Sequence, residues 1–203
     1  MLKKNKYELN AIKLLRNSKI GILSTHSKQY KGFPFGSFVT FCSGKNREIF
    51  FYFSDLAEHT KNLNLNSKSS LTIFKTKKDS NDLQDSKRLT LIGEIKKISK
   101  ENDKEISDHF FNIIKESKEY SQFHDFNFYR FTIKEGRWIG GFGQIAWLDS
   151  KMWLNIDIGW KKAEKAIIYH MNEDHSDSII ASLNAQHKIY DDKAKMVALT
   201  IDY

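Results

Sequence analysis

The densest chemistry in the sequence lies between Ile167 and Ile180, where IIYHMNEDHSDSII places two histidines and three acids in a segment of helical periodicity. On a continuous helix, which turns about 100° per residue, His170 and His175 would point about 140° apart, so one metal ion could not easily bind both. The same spacing aligns His170 with Asp174 one turn later. We therefore expect His170 on a face of small residues that a flat ligand could approach, and a partly buried His175 held by a hydrogen bond. Two histidines that serve only the fold are equally compatible with this spacing.

A second candidate site lies in SDLAEHTKNL, residues 54–63. The first turn of a predicted helix offers backbone N–H groups here, together with the hydroxyls of Ser54 and Thr60, the cation Lys61 and the imidazole of His59. Such groups suit an anion. The alternative is a helix that Ser54 caps, with no ligand.

A third candidate is the glycine-rich segment in which Gly140, Gly141 and Gly143 surround Phe142, with Arg137 shortly before it. Glycines let a backbone pass close to a flat ligand or adopt positive φ, and the arginine could supply a cation. A bulged strand corner, which glycine also serves, is the alternative.

Composition limits the kinds of protein this chain can be. Its 203 residues, 40% hydrophobic and 13% aromatic, suit one full domain plus a helical appendage. The single cysteine, Cys42, excludes an intramolecular disulfide framework, and MLKKNKYELN lacks the apolar core of a signal peptide. We therefore expect a cytoplasmic protein. No apolar run reaches the roughly 20 residues that span a bilayer, so we expect no membrane insertion.

The formal net charge of +8 favours an anionic partner such as phosphate, nucleic acid or the propionates of a haem. However, the lysines are scattered along the chain and do not gather on one recognition helix, which argues against nucleic acid.

The elements that must position these residues are mainly strands. Periodicity predicts helices at 8–17, 56–65 and 103–119, and strands at 19–25, 35–42, 47–54, 69–76, 88–99, 126–133 and 144–148. Many strands with short helical insertions favour a small antiparallel barrel, a mainly β (α+β) fold. We assign this barrel to residues 1–155 and a C-terminal helical module to residues 156–203.

The sequence resembles the haem-utilisation (HugZ-type) family of the pyridoxamine-phosphate-oxidase-like, FMN-binding split-barrel superfamily. Five segments carry the resemblance in the same order: GFPFGSFV at 32–39, SDLAEHTKNL at 54–63, RLTLIGEI at 88–95, GGFG at 140–143 and HMNEDH at 170–175. The resemblance implies a dimeric antiparallel split barrel that binds haem near the subunit interface. It also implies that the porphyrin is opened oxidatively to release iron.

The resemblance also suggests roles for the candidate residues. His170 would be the ligand of the haem iron, and Asp174, or an acid such as the partner subunit's Asp125, would accept its hydrogen bond. The expected catalytic set is His170, Asp174 and Arg137. The expected cofactor-binding set is Ser54, His59, Thr60, Lys61, Gly140, Gly141, Phe142, Gly143 and His175.

The function that follows is a haem-degrading oxidoreductase that receives electrons from an external donor. Two alternatives stay open: an FMN-dependent oxidoreductase whose 54–61 segment holds the phosphate, and a non-catalytic haem or tetrapyrrole carrier. The sequence departs from the family at Asn66, Ser67 and Lys68, where an Asp-Pro-Arg-like turn is usual. Because members of the family continue past the position of Tyr203, the helical module would be incomplete.

Overall fold

The computed structural model of the protein describes residues 2–76, 82–148 and 159–199. These residues form two compact units, one on each side of residues 149–158 along the chain. The predicted domain boundary, between residues 155 and 156, lies outside the described residues.

The first unit is built on an antiparallel sheet that curls into a half-barrel. Its strands are β1 (Ile20–His26), β2 (Pro34–Thr40), β3 (Cys42–Ser43), β4 (Ile49–Ser54), β5 (Lys68–Lys75), β6 (Lys87–Lys97), β7 (Phe126–Ile139) and β8 (Ile145–Leu148). They are ordered β2-β1-β5-β6-β7-β4-β3, and β8 pairs with β7. The predicted fold class, an antiparallel split barrel with helical insertions, is confirmed.

Helix α1 (Leu2–Arg16) supplies one part of the core of the barrel. Its apolar residues Ala11, Ile12, Leu14 and Leu15 recur at helical spacing and are all buried. They belong to the same cluster as the buried sheet residues, of which Trp138 is the largest. The helix thus covers the apolar face of the sheet and excludes water from it.

The two longest strands, β6 and β7, pair with a bulge at Ile92 and Gly93. A β-carbon at Gly93 would lie 2.1 Å from the carbonyl oxygen of Thr132, far inside van der Waals contact. Glycine is therefore required for the strands to approach this closely, and the bulge bends the sheet toward its barrel curvature.

Two further helices insert between the strands: α2 (Glu58–Leu63) and α3 (Lys104–Ile113). Helix α3 buries Phe110 in a second apolar cluster that also contains Cys42, whose thiol has a pKa raised by burial. The predicted helix at 103–119 was too long. Ile114, at φ −120° and ψ 74°, ends α3, and a 3₁₀ segment, Lys115–Gln122, follows.

The C-terminal unit contains α4 (Glu164–Asp174) and α5 (Ser176–His187). Lys188, at φ 58° and ψ 30°, ends α5 in the left-handed conformation typical of helix C-termini. The segment that follows returns to α4. Among residues 2–76, 82–148 and 159–199, no helix is both long enough and apolar enough to cross a membrane.

Candidate functional site

The HMNEDH segment spans the junction of α4 and α5. His175 adopts φ −133° and ψ 27°, which is not helical, and separates the two helices. Its N–H still donates to the carbonyl oxygen of Met171 at 3.2 Å, and its own carbonyl accepts from Ile179 at 3.1 Å. The expectation of a continuous helix through both histidines was therefore wrong, and so was the 140° separation derived from it.

His170 lies in the last turn of α4, and its imidazole is held by Asp174. The Nδ1 atom lies 2.7 Å from Asp174 Oδ2, and both side chains are about 60% exposed. A carboxylate is only an acceptor at neutral pH, so Nδ1 carries the proton and donates it. The Nε2 atom of a neutral His170 then keeps its lone pair free to bind a metal.

His175 brings a second imidazole to the same place. Its Nε2 lies 3.2 Å from Nε2 of His170, with the two ring planes at 84°. The side chain is exposed, so the prediction of a partly buried His175 was wrong, although its ring is held by a contact as expected. That prediction rested on a continuous helix, which the break at His175 removes.

Helix α4 is supported from behind by the segment that follows α5. Asn172 Nδ2 donates to the carbonyl oxygen of Met196 at 2.9 Å, and Asn172 Oδ1 accepts from the Met196 N–H at 2.8 Å. Glu164, which is buried, accepts from the N–H of Leu199 at 3.1 Å. One face of α4 is thus fixed, while Ala166, one turn before His170, is small and exposed.

Ser54, in the second candidate site, is already engaged. Its hydroxyl donates to the carboxylate of Asp125 and accepts from the N–H of Leu56 at 3.0 Å. The alternative, in which Ser54 caps the helix, does not hold either, because this turn delays the helix and Ala57 becomes its N-cap. The hydroxyl therefore lies beside a negative charge, which is unfavourable for an anion.

The neighbouring residues of this site are only partly available to a ligand. His59 Nε2 and Thr60 Oγ1 are buried without a hydrogen-bond partner. Burial lowers the pKa of His59, whose ring packs on Phe53 with centroids 4.3 Å apart. Lys61 Nζ lies 3.8 Å from a carboxylate oxygen of Glu58, which offsets part of its charge.

Asn62, which sequence reasoning missed, fixes α2 to the sheet. It is fully buried, its amide donates to Thr25 Oγ1 at 2.9 Å, and its carbonyl accepts from the Lys28 N–H at 2.7 Å. The signal in the sequence was a polar residue at a position where the helix faces the core.

The glycine-rich segment is the corner between β7 and β8. The Gly140 N–H donates to the carbonyl oxygen of Gln144 at 2.8 Å. Gly141 has φ +128°, and a β-carbon there would lie 2.4 Å from Asp85 Oδ1. Phe142, at the tip, is 99% exposed. This geometry is the strand corner weighed above as the alternative, and it presents one aromatic ring to solvent.

Arg137 lies on β7, where its guanidinium carbon is 5.1 Å from the centroid of the Trp147 ring on β8. A cation over an aromatic face is held without losing its charge. Arg137 is half-buried and can still meet an anion at this face of the sheet.

A cavity of about 440 Å³ on the outer face of β1, β5 and β6 was also missed from the sequence. His26, Lys68 and Lys134 contribute to its lining. Lys134 pairs with Glu94, whose pKa this contact lowers. Strand periodicity identifies outward residues, but only the sheet order brings these strands together.

Most of the chain is similar in sequence to known proteins. The family described as "CREG, beta-barrel" matches residues 3–155, most of the chain. The chain belongs to this family. A protein of Arabidopsis thaliana named "Non-canonical heme oxygenase HOZ, chloroplastic" is 30% identical over 193 residues, which are 92% of this chain. The chain spans 58% of that protein's length.

Solved structures share the fold of this CREG-family chain. A haem-binding protein from Mycobacterium smegmatis has a TM-score of 0.66 at 23% identity, over 89% of this chain and 73% of its own. The protein Atu2129 from Agrobacterium tumefaciens, of unknown function, has a TM-score of 0.72 at 17% identity, over 96% and 80%. The resemblance identified from the five sequence segments is confirmed.

Haem is a ligand that the residues of α4 suit. An exposed imidazole with its Nδ1 proton held by a carboxylate is a usual axial donor, and His170 has this arrangement. Within the described residues, no group of three or more histidine, cysteine, aspartate or glutamate side chains could hold a metal ion. A tetrapyrrole, which brings four nitrogens of its own, needs only one such donor.

Proposed function

We propose that this protein binds haem with His170 as the axial ligand of the iron, and that it degrades haem oxidatively in iron utilisation. The observation that carries the proposal is the 2.7 Å contact between His170 Nδ1 and Asp174, which leaves Nε2 of this exposed imidazole unprotonated. The names of the plant relative and of the mycobacterial structure, haem oxygenase and haem-binding protein, support the choice of ligand.

The residues of α4 contribute binding and orientation. Asp174 fixes the tautomer of His170 and raises the electron-donating strength of Nε2. His175 must turn aside when His170 binds iron, because its Nε2 lies 3.2 Å from the same donor atom. Bound haem supplies the redox and oxygen chemistry, with electrons from an external donor.

Positive charge supports the binding of the propionates. The net charge of +8 raises the local concentration of any dianionic ligand. Within the barrel unit, Arg137 is the candidate for contact with an anionic group, because its guanidinium is fixed by Trp147 and half-exposed. The other proposed binding residues of the barrel unit are His59, Thr60, Lys61, Gly140, Gly141, Phe142 and Gly143.

FMN is supported less well than haem. Its phosphate would need Ser54, but that hydroxyl donates to Asp125, and the charge of Lys61 is partly offset by Glu58. A phosphate dianion at this position would be repelled by both carboxylates.

We also propose that the protein is a homodimer. Ile22 and Phe38 are directly paired across β1 and β2, and both are exposed, at 37% and 67%. Ile20 and Ile92 extend this apolar outer face of the sheet. Exposed apolar surface of this kind marks an association site. Sedimentation velocity should give twice the chain mass, and a monomer at all concentrations would contradict it.

The test of haem binding is a titration of the purified chain with haemin, followed by its Soret absorption. We expect saturable binding that His170→Ala weakens strongly and that His187→Ala, a matched exposed histidine in the same unit, leaves unchanged. Reductant and oxygen should then bleach the Soret band and release iron. Equal binding by His170→Ala would refute the assignment, whereas binding without bleaching would identify a haem carrier.

A further inference from the structure

His170 and His175 form a contact between their imidazoles that the proposed haem binding does not need. Both rings are exposed, their Nε2 atoms are 3.2 Å apart, and their planes are nearly perpendicular. An interaction between these rings is not required by the fold, because the junction of α4 and α5 is already held by backbone bonds of His175 to Met171 and Ile179.

We propose that His170 and His175 together chelate a divalent transition-metal ion in the haem-free protein, each through its Nε2 atom. This site does not depend on the proposed haem activity. It shares His170 with it, so the metal ion and the haem iron would exclude each other.

The separation of the two nitrogen atoms suits a shared ion. Zn–N bonds of about 2.05 Å that span the observed 3.2 Å would enclose an angle of about 100°, near the tetrahedral value. Each ring would turn about its side-chain bonds until its Nε2 lone pair points at the ion. Without a metal ion, the Nε2–H of His175 would donate to Nε2 of His170. Metal binding would require the other tautomer of His175, with the proton on Nδ1.

The protonation of each ring also suits chelation. The Asp174 carboxylate holds the proton of His170 on Nδ1, so that Nε2 is the unprotonated atom. His175 is exposed, so a proton on its Nδ1 can form a hydrogen bond with water. Both Nε2 lone pairs are then available at the same time.

The chemistry of the donors defines the class of metal. Imidazole nitrogen suits Zn²⁺, Cu²⁺ and Ni²⁺ better than Mg²⁺ or Ca²⁺, which prefer oxygen. Within the described part of the chain, no third histidine, cysteine or carboxylate joins the pair in a metal-binding group. Water would fill the remaining positions, so we expect reversible binding in the order Cu²⁺ > Ni²⁺ > Co²⁺.

The experiment uses the full, untagged chain without haem. Zn²⁺ is titrated by calorimetry, and Cu²⁺ is added for electron paramagnetic resonance, which reports the nitrogens bound to the ion. We expect one ion per chain with two nitrogen ligands. His175→Ala and His170→Ala should each lower the affinity by about tenfold or more, whereas His187→Ala should bind as the unaltered chain does.

Two controls keep the result interpretable. Circular dichroism establishes that each variant keeps its helices, and His175→Gln tests the loss of the imidazole with a side chain of similar size. Affinity that survives His175→Ala and His175→Gln, or no saturable binding by the unaltered chain, would overturn the proposal. All metal titrations are made without haemin, so their outcome does not depend on whether the chain binds haem.

Discussion

The hydrogen bond between Asp174 and His170 gives the sharpest test of how the protein would tune a haem ligand. Asp174→Asn keeps an oxygen that can accept from His170 Nδ1 but removes its charge. Asp174→Ala removes the acceptor as well. We expect haem affinity to decrease in the order unaltered chain, Asp174→Asn, Asp174→Ala, because each step weakens the donor strength of Nε2.

The expected magnitude follows from distance and exposure. At 2.7 Å, the contact is short and charge-assisted, but both side chains are about 60% exposed, so water competes for each group. Losing such a partner of a metal-bound histidine costs 10-fold to 100-fold in affinity, and the exposure favours the lower end. We therefore expect about a tenfold loss of haem affinity for Asp174→Ala, or about 1.4 kcal/mol.

The assay is haemin titration followed by the Soret band, together with resonance Raman detection of the iron–histidine stretch. The stretch should move to lower frequency as the acceptor is weakened. Glu173→Gln is the matched control, since it removes an exposed charge from the neighbouring residue of the same helix. Unchanged affinity and stretch in Asp174→Ala, or an equal loss in Glu173→Gln, would refute the reasoning.

Two further predictions concern the barrel. Gly93→Ala should lower the free energy of unfolding by about 1–3 kcal/mol, because its β-carbon would overlap the Thr132 carbonyl. Gly36→Ala is the control: the nearest contact of its β-carbon is at 3.7 Å, so the loss should be much smaller. Thermal denaturation measures both. Burial, together with Asp55, raises the pKa of Tyr129 to about 12. An unfolded tyrosine ionises near pH 10, so stability should fall between pH 10 and 12. In denaturant titrations, the free energy of unfolding of Tyr129→Phe should fall less between pH 10 and 12 than that of the unaltered chain. Identical pH profiles for the two proteins would contradict this assignment.

The fold was largely predictable because strand periodicity and burial agree. Alternation in RLTLIGEI becomes the alternation of buried and exposed residues in β6. What the sequence could not give was the order of strands, which depends on contacts far apart in the chain. The predicted strand at 126–133 was also too short, because β7 continues through Gly136 to Ile139 as it pairs with β6 and β8.

The candidate site was predictable only where one helical turn decides the geometry. The spacing of His170 and Asp174 predicted their contact, since residues four apart on a helix are neighbours. The contact of His170 with His175 was missed because neither glycine nor proline marks the break between them. Ser54 was misplaced for a related reason: its hydroxyl forms a local turn that competes with the start of the helix.

Asn172 has a consequence for how α4 keeps its shape. Its amide forms two bonds with the backbone of Met196, 24 residues later, much as one strand pairs with another. The pose of the His170 imidazole, two residues earlier, is therefore coupled to the chain around Met196. Proteolytic cleavage or a bound partner near Met196 would therefore alter the position of His170 without changing any residue of α4.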